Sequence, residues 1–260
     1  VNGTGWTIAA MTAKFAGLPF NFSGMVDNIT GLERFLPNAV TLTDILKHND
    51  YNQHFIFGSD KHFASRDALL ESHGNVKVHD INWYKDHEML ANDYFVFWGF
   101  EDQKLFEYAK YELDVLSSQD KPFMFGLLTV DTHTGEGYIC SLCERTYTDF
   151  QIKNVIRCSD KQIAIFVDWC KTQKWYENTT IVILGDHLFM TGTDNNVFGD
   201  GFETTPQEEQ DIYNHKTSYS GKAPRRWLNI FINSSIHYNK TFTDNREFTS
   251  FDMFPHCCPV

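Results

Sequence analysis

Two apolar runs constrain this chain more than any other feature. Residues 122–133 read PFMFGLLTVDTH and residues 179–187 read TTIVILGDH, each unbroken in its apolar part and each ending in Asp and His. A strand covered on both faces shows such a run, and in an open parallel sheet ligands gather beyond the carboxyl ends of the strands. A third strand pattern, HFIFGSD, ends in its own polar loop. Helical patterns alternate with these strands. One spans Thr7–Ala16 and is stopped by Gly17-Leu18-Pro19; another covers residues 41–50, capped by Thr41 or Thr43. Residues 100–118 place Leu105, Tyr108, Leu113 and Leu116 on one face, and SDKQIAIFVDWCKTQ reads as a helix capped by Ser159. The alternation predicts an α/β fold with a central, mostly parallel sheet between helices. The polar stretch 195–223 reads as a long loop or insertion.

At 260 residues, with 42% hydrophobic and 15% aromatic residues, the chain can bury a full core. A net charge of −12 argues against the clustered basic surface that nucleic acids and polybasic membrane-surface contacts require. No run of about 18 apolar residues is present to span a bilayer. No signal peptide is visible, and the abrupt start in a motif-like stretch predicts a piece of a longer protein.

That stretch, VNGTGWTIAAM, sets Thr4 between Gly3 and Gly5 just ahead of Ile8, Met11 and Phe15 at helical spacing. Thr4 is either a helix cap or a nucleophile facing an anion at the positive end of a helix. The remaining chemistry sits at strand ends. Asp131 and His133 follow one apolar run, and Asp186 and His187 follow the other. An adjacent carboxylate and imidazole can face one divalent ion, although a capping Asp and a core His would read the same way locally. An ion there would activate the Thr4 hydroxyl, which is a weak nucleophile on its own. Of the six Cys, Cys140-Ser-Leu-Cys143 is a CxxC without a second copy. A loop disulfide from Cys140 or Cys143 to Cys158 fits it better than a zinc site, and would point to an oxidising compartment.

Taken together, GTGWTIAAMTAKFAGLPF, HFIFGSDKHFASRDALLESHG, FWGFEDQKLFEYAKYEL, LLTVDTHTGEGYIC, NVIRCSDKQIAIFVDW, TTIVILGDHLFM and FTSFDMFP resemble, in order and spacing, one known group. This is the catalytic domain of lipoteichoic acid synthases and phosphoglycerol transferases, in the alkaline phosphatase/sulfatase superfamily. The resemblance implies one sulfatase-like domain over residues 1–260, whose membrane anchor and one acidic metal ligand lie upstream of Val1. It implies Thr4 as the nucleophile that becomes phosphorylated and also touches the metal. Asp186 and His187 become metal ligands for a divalent ion, foremost Mn2+, with Mg2+ or Zn2+ as alternatives. His133 and Arg66 become substrate-binding residues, and Trp98, Gly99 and Asp102 a structural or pocket-lining segment. Cys143 and Cys158 head the disulfide candidates.

The implied donor is a phosphatidylglycerol-type lipid and the acceptor a glycan or glycerol phosphate, at the extracytoplasmic face of a bacterial membrane. Phe57 and Ala64 depart from the synthases, which carry a His and an aromatic residue there, whereas GEGYIC is closer to the transferases that modify osmoregulated glucans. The maturation motif of sulfatases is absent around Thr4. A phosphodiesterase of the same superfamily and a non-catalytic domain retaining the fold are the alternatives.

Overall fold

The computed structural model describes residues 5–21, 29–133, 135–148, 151–187, 229–233 and 253. Its centre is a parallel sheet of three strands, β1 (Asn52–Phe57), β2 (Lys77–His79) and β3 (Phe123–Leu128), in the order β2-β1-β3. Strand periodicity sorts the side chains to two faces. Phe55 and Phe57 of β1, with Met124 and Leu128 of β3, meet Ile8 and Met11 of α1 (Thr7–Ala16) and Leu69 and Leu70 of α3 (Arg66–Glu71). Ile56, Phe125 and Leu127 point the other way, against Tyr84 of α4 (Ile81–Asp86) and Leu105 and Ala109 of α5 (Asp102–Ser117). The sheet is thus packed between two helical layers, as the sequence pattern predicts. Phe55 pairs in register with Gly126, and a Cβ on that glycine would lie 2.3 Å from the Phe55 ring. The glycine makes room for the aromatic residue of the neighbouring strand.

Local signals explain the helices where they are strong. Thr41 caps α2 (Leu42–His48), and Asp44 returns the bond to the Thr41 N–H, a reciprocal capping box. Gly17 ends α1 in the left-handed conformation, with φ of 65°. The N-cap of α1 is Trp6, which makes no side-chain cap bond. Thr4 itself lies outside the described residues, as does the stretch 195–223.

Two further readings are corrected. The helix α6 runs from Gln151 to Lys171, and Ser159 is buried inside it rather than capping it. Ile152, Val155 and Cys158 continue the buried face of Gln162, Val167 and Cys170 backwards, so the apolar stripe, not the Ser, marks the start. Among the described residues, the strand β4 (Ile181–Leu184) pairs antiparallel with β5 (Asn229–Ile232) in a two-stranded ladder. It is half-buried, with Val182 exposed, because a two-stranded ribbon leaves surface uncovered. β3 is half-buried throughout, because among the described residues it forms one edge of the parallel sheet.

Candidate active site

Asp186 and His187 follow the last residues of β4, where the chain leaves the ladder. The Asp186 carboxylate turns back over this bend. Its Oδ1 accepts the His187 N–H at 2.8 Å, and its Oδ2 lies 3.2 Å from His187 Nε2. Two ligand atoms each about 2.1 Å from one ion stand about 3.0–3.4 Å apart, so the pair fits a single divalent cation. Helix α1 holds this bend from the other side. Thr7 Oγ1 donates to Asp186 Oδ2 at 3.4 Å, and Lys14 Nζ donates to the Asp186 carbonyl oxygen at 2.6 Å. Burial brings the Lys14 ammonium down to about 8, and the nearby Asp186 charge only partly offsets that.

Thr7 and Lys14 escaped the sequence reading. Their seven-residue spacing places them on one side of α1, but a Thr and a Lys at that spacing are ordinary in any helix. Replacing Thr7 by Val removes one bond that orients the carboxylate. The Kd for Mn2+ is expected to rise about tenfold, with the melting temperature little changed, as read by calorimetric titration and thermal melting.

His133 lies past the end of β3, walled by aromatic residues. Its ring is 4.7 Å from Trp98 and 6.3 Å from Phe97, and Phe97 stacks on Tyr138 at 6.2 Å. The WGxxD segment both builds this wall and positions it. Gly99 approaches β1 so closely that a Cβ would lie 1.9 Å from the Gly58 oxygen. Asp102, at the start of α5, accepts the Val130 N–H at 2.7 Å and the Asp131 N–H at 3.3 Å. Asp131 Oδ1 in turn accepts the Asp102 N–H at 3.2 Å. The helix start and the turn carrying His133 therefore cap each other.

Both carboxyl groups of this clasp are buried, and burial raises both. The charge of Asp102 raises Asp131 further, to about 8. The native state thus keeps a proton that the unfolded chain releases above an ordinary 3.8. Stability falls as pH rises from about 4 to about 8, because the native state binds more protons there. Asp131→Asn retains the Oδ1 acceptor and is expected to flatten that decline, measured as melting temperature against pH.

Arg66 opens α3, beyond the C-terminal end of β1. It is 5% exposed, and its guanidinium donates to Ser59 Oγ at 3.0 Å, to the Phe63 carbonyl oxygen at 3.2 Å, and to the Asp60 carbonyl oxygen. Its charge lies 4.5 Å over the Phe57 ring, so the residue that departs from the synthases is what Arg66 packs on. Burial lowers Arg66 to about 10, and Asp60, Asp67 and Asp80 act against that. These contacts make Arg66 the brace of a tight turn in which Ala64 and Ser65 both adopt positive φ, 55° and 54°. Phe63 stands 5.8 Å from Trp98, which links this turn to the wall around His133.

The structure therefore joins Asp186 and His187 to α1, and joins Arg66 to His133 through Phe63 and Trp98. The Cys143–Cys158 bridge is not closed. Cys140, Cys143 and Cys158 are free thiols, with Cys140 Sγ 3.5 Å from Cys143 Sγ and 3.8 Å from Cys158 Sγ.

A parallel sheet between helical layers, with Asp131 and His133 beyond the end of β3, defines the open α/β class. The chain belongs to the sulfatase family, whose sequence profile matches residues 2–255. It is 37% identical over 194 residues to phosphoglycerol transferase I of Xanthomonas campestris pv. campestris, covering 72% of this chain and 28% of that protein. Phosphoglycerol transferase I of Escherichia fergusonii is 34% identical over 200 residues, covering 74% of this chain and 26% of that protein. The chain thus spans little more than a quarter of the length of these relatives.

The fold is similar to that of an alkaline phosphatase superfamily protein from Vibrio parahaemolyticus, with a TM-score of 0.67 and 22% identity. That likeness covers 98% of this chain and 54% of the other. The lipoteichoic acid synthase LtaP from Listeria monocytogenes gives a TM-score of 0.64 at 18% identity, covering 88% and 54%. These two likenesses establish the fold: the sulfatase-like α/β class expected from the sequence.

Proposed function

We propose that residues 1–260 form the catalytic domain of a metal-dependent phosphoglycerol transferase. One contact carries this reading. Thr7 stands three residues after Thr4 and bonds the Asp186 carboxylate, so the helix that follows the nucleophile touches the ligand pair. The resemblance to phosphoglycerol transferase I supports the substrate class.

In this reading Thr4 Oγ attacks the phosphorus of a phosphatidylglycerol-type donor. The bond from phosphorus to the diacylglycerol oxygen breaks, and His133 binds the phosphate or protonates that leaving oxygen. The hydroxyl of a glycan or glycerol phosphate then attacks the phospho-Thr, and Thr4 is released. Asp186 and His187, with Thr4, would hold the ion. When bound there, a divalent metal, Mn2+ foremost, would supply charge neutralisation for the Thr4 oxygen and the phosphoryl oxygens. Arg66 acts on the substrate through the turn it braces.

The reaction belongs at the extracytoplasmic face of a bacterial membrane, where donor and acceptor meet. Among the described residues no helix is long and apolar enough to cross a membrane.

The test supplies phosphatidylglycerol vesicles with Mn2+ and a soluble glucan acceptor. Diacylglycerol release with phosphoglycerol on the glucan supports the transferase. Release of free glycerol phosphate with an unmodified glucan indicates a phosphodiesterase. A lack of turnover together with a lack of Mn2+ binding leaves only a binding domain.

A further inference from the structure

Cys140 and Cys143 lie on one turn, closed by the Cys143 N–H to the Cys140 carbonyl oxygen at 3.2 Å. Cys158 comes from α6, and the three sulfur atoms lie within 4.8 Å of one another. Sulfurs held about 2.3 Å from a tetrahedral ion stand about 3.8 Å apart, whereas a disulfide needs about 2.05 Å. The observed 3.5 and 3.8 Å match the edge of the tetrahedron. The Gln162 amide, one turn along α6, places Nε2 3.5 Å from Cys158 Sγ and 3.7 Å from Cys140 Sγ. Such N–H donors stabilise metal-bound thiolates, the outer-shell support that built sites show.

We propose that Cys140, Cys143 and Cys158 form a second, thiolate metal site for a thiophilic divalent ion of the zinc class. It is separate from Asp186 and His187. Cys140 and Cys158 are buried and Cys143 is partly exposed, so the fourth position opens on the Cys143 side and takes a water or a small anion. Ligation requires the thiolates, so the ion must displace their protons and its affinity falls as pH falls.

The site's role is positional. Asn154 of α6 already grips the same loop, accepting the Thr146 and Tyr147 N–H groups at 2.8 Å each. The ion would add a second clamp, next to Tyr138 and the aromatic wall of His133.

The test uses the reduced, metal-stripped protein titrated with Co2+. One equivalent should produce a sulfur-to-cobalt charge-transfer band that Zn2+ abolishes. The band should vanish in Cys140→Ser, Cys143→Ser and Cys158→Ser, and persist in Cys170→Ser and in the Asp186→Ala, His187→Ala double variant. Should the Ser variants misfold, alkylation of the wild type decides instead: Zn2+ should protect three thiols together. Absence of the band in the wild type overturns the site. So does a non-reduced mass showing two of the three cysteines joined and no protection by Zn2+.

Discussion

Thr4→Ala is expected to lower donor turnover by about four orders of magnitude or more while leaving Mn2+ binding within about tenfold of wild type. Removing a nucleophile eliminates the covalent route and leaves only positioning and electrostatic stabilisation. The ligand pair survives, because Asp186 and His187 are held by Thr7, Lys14 and their own mutual contact. Asp186→Ala should give the opposite pattern, with Mn2+ binding lost together with turnover. Quenched reactions with labelled donor separate the two: phospho-enzyme forms in the wild type and in neither variant, and only Thr4→Ala still titrates with Mn2+. Turnover that persists in Thr4→Ala would remove Thr4 from the mechanism.

The second large effect concerns stability, and it comes from the core face of α5. Glu112 is 2% exposed and is surrounded by hydrogen-bond donors. His79 Nδ1 lies at 2.5 Å, the Tyr84 hydroxyl donates at 3.2 Å, and His54 Nδ1 stands at 3.4 Å. Trp83 stacks on the His79 ring at 3.5 Å and fixes its orientation. Burial alone would raise the Glu112 carboxyl, but the bonds and charges of His54 and His79 outweigh it and hold the group at about 2.

Glu112→Ala leaves both imidazoles and the Tyr84 hydroxyl without their shared acceptor. The expected loss is about 3–5 kcal/mol, or about 10 °C in melting temperature. The pH dependence identifies the cause. A carboxyl depressed below its ordinary 4.5 contributes stability that is present above that value and is lost as pH falls toward 2. Glu112→Gln should be less damaging than Ala and should flatten this acid branch. Denaturant melts of the three proteins from about pH 2 to about pH 7 provide the comparison. An acid branch unchanged in Glu112→Gln would place the titrating group elsewhere.

Glu112 shows why the sequence reading stopped where it did. The face of α5 was legible from Leu105, Leu113 and Leu116, whose spacing alone puts them in the core. A glutamate at that spacing reads as a surface residue, and the donors that offset its burial, His54, His79 and Tyr84, lie 58, 33 and 28 residues away. The Asp102–Asp131 clasp was hidden in the same way: each residue belongs to a recognisable motif, but the bond between the motifs spans 29 residues. The start of α6 was misplaced for a different reason. A Ser three residues before a Gln satisfies the capping rule locally, and the buried Ile152 and Val155 that override it gain their weight only from packing.

The sequence alone determined the strands that end in polar groups, the helix after Thr4, a Thr cap at the start of α2 and the family resemblance. Each of these rests on periodicity, capping or motif order over short distances. Only the tertiary structure decided that Thr7 and Lys14 hold Asp186, across 179 and 172 residues, and that Arg66 braces a turn over Phe57. It also decided that Cys158 of α6 stands as a free thiol beside the Cys140–Cys143 turn. These contacts depend on which elements come to share a sheet end or a helix face, and nothing in the local pattern encodes that distance.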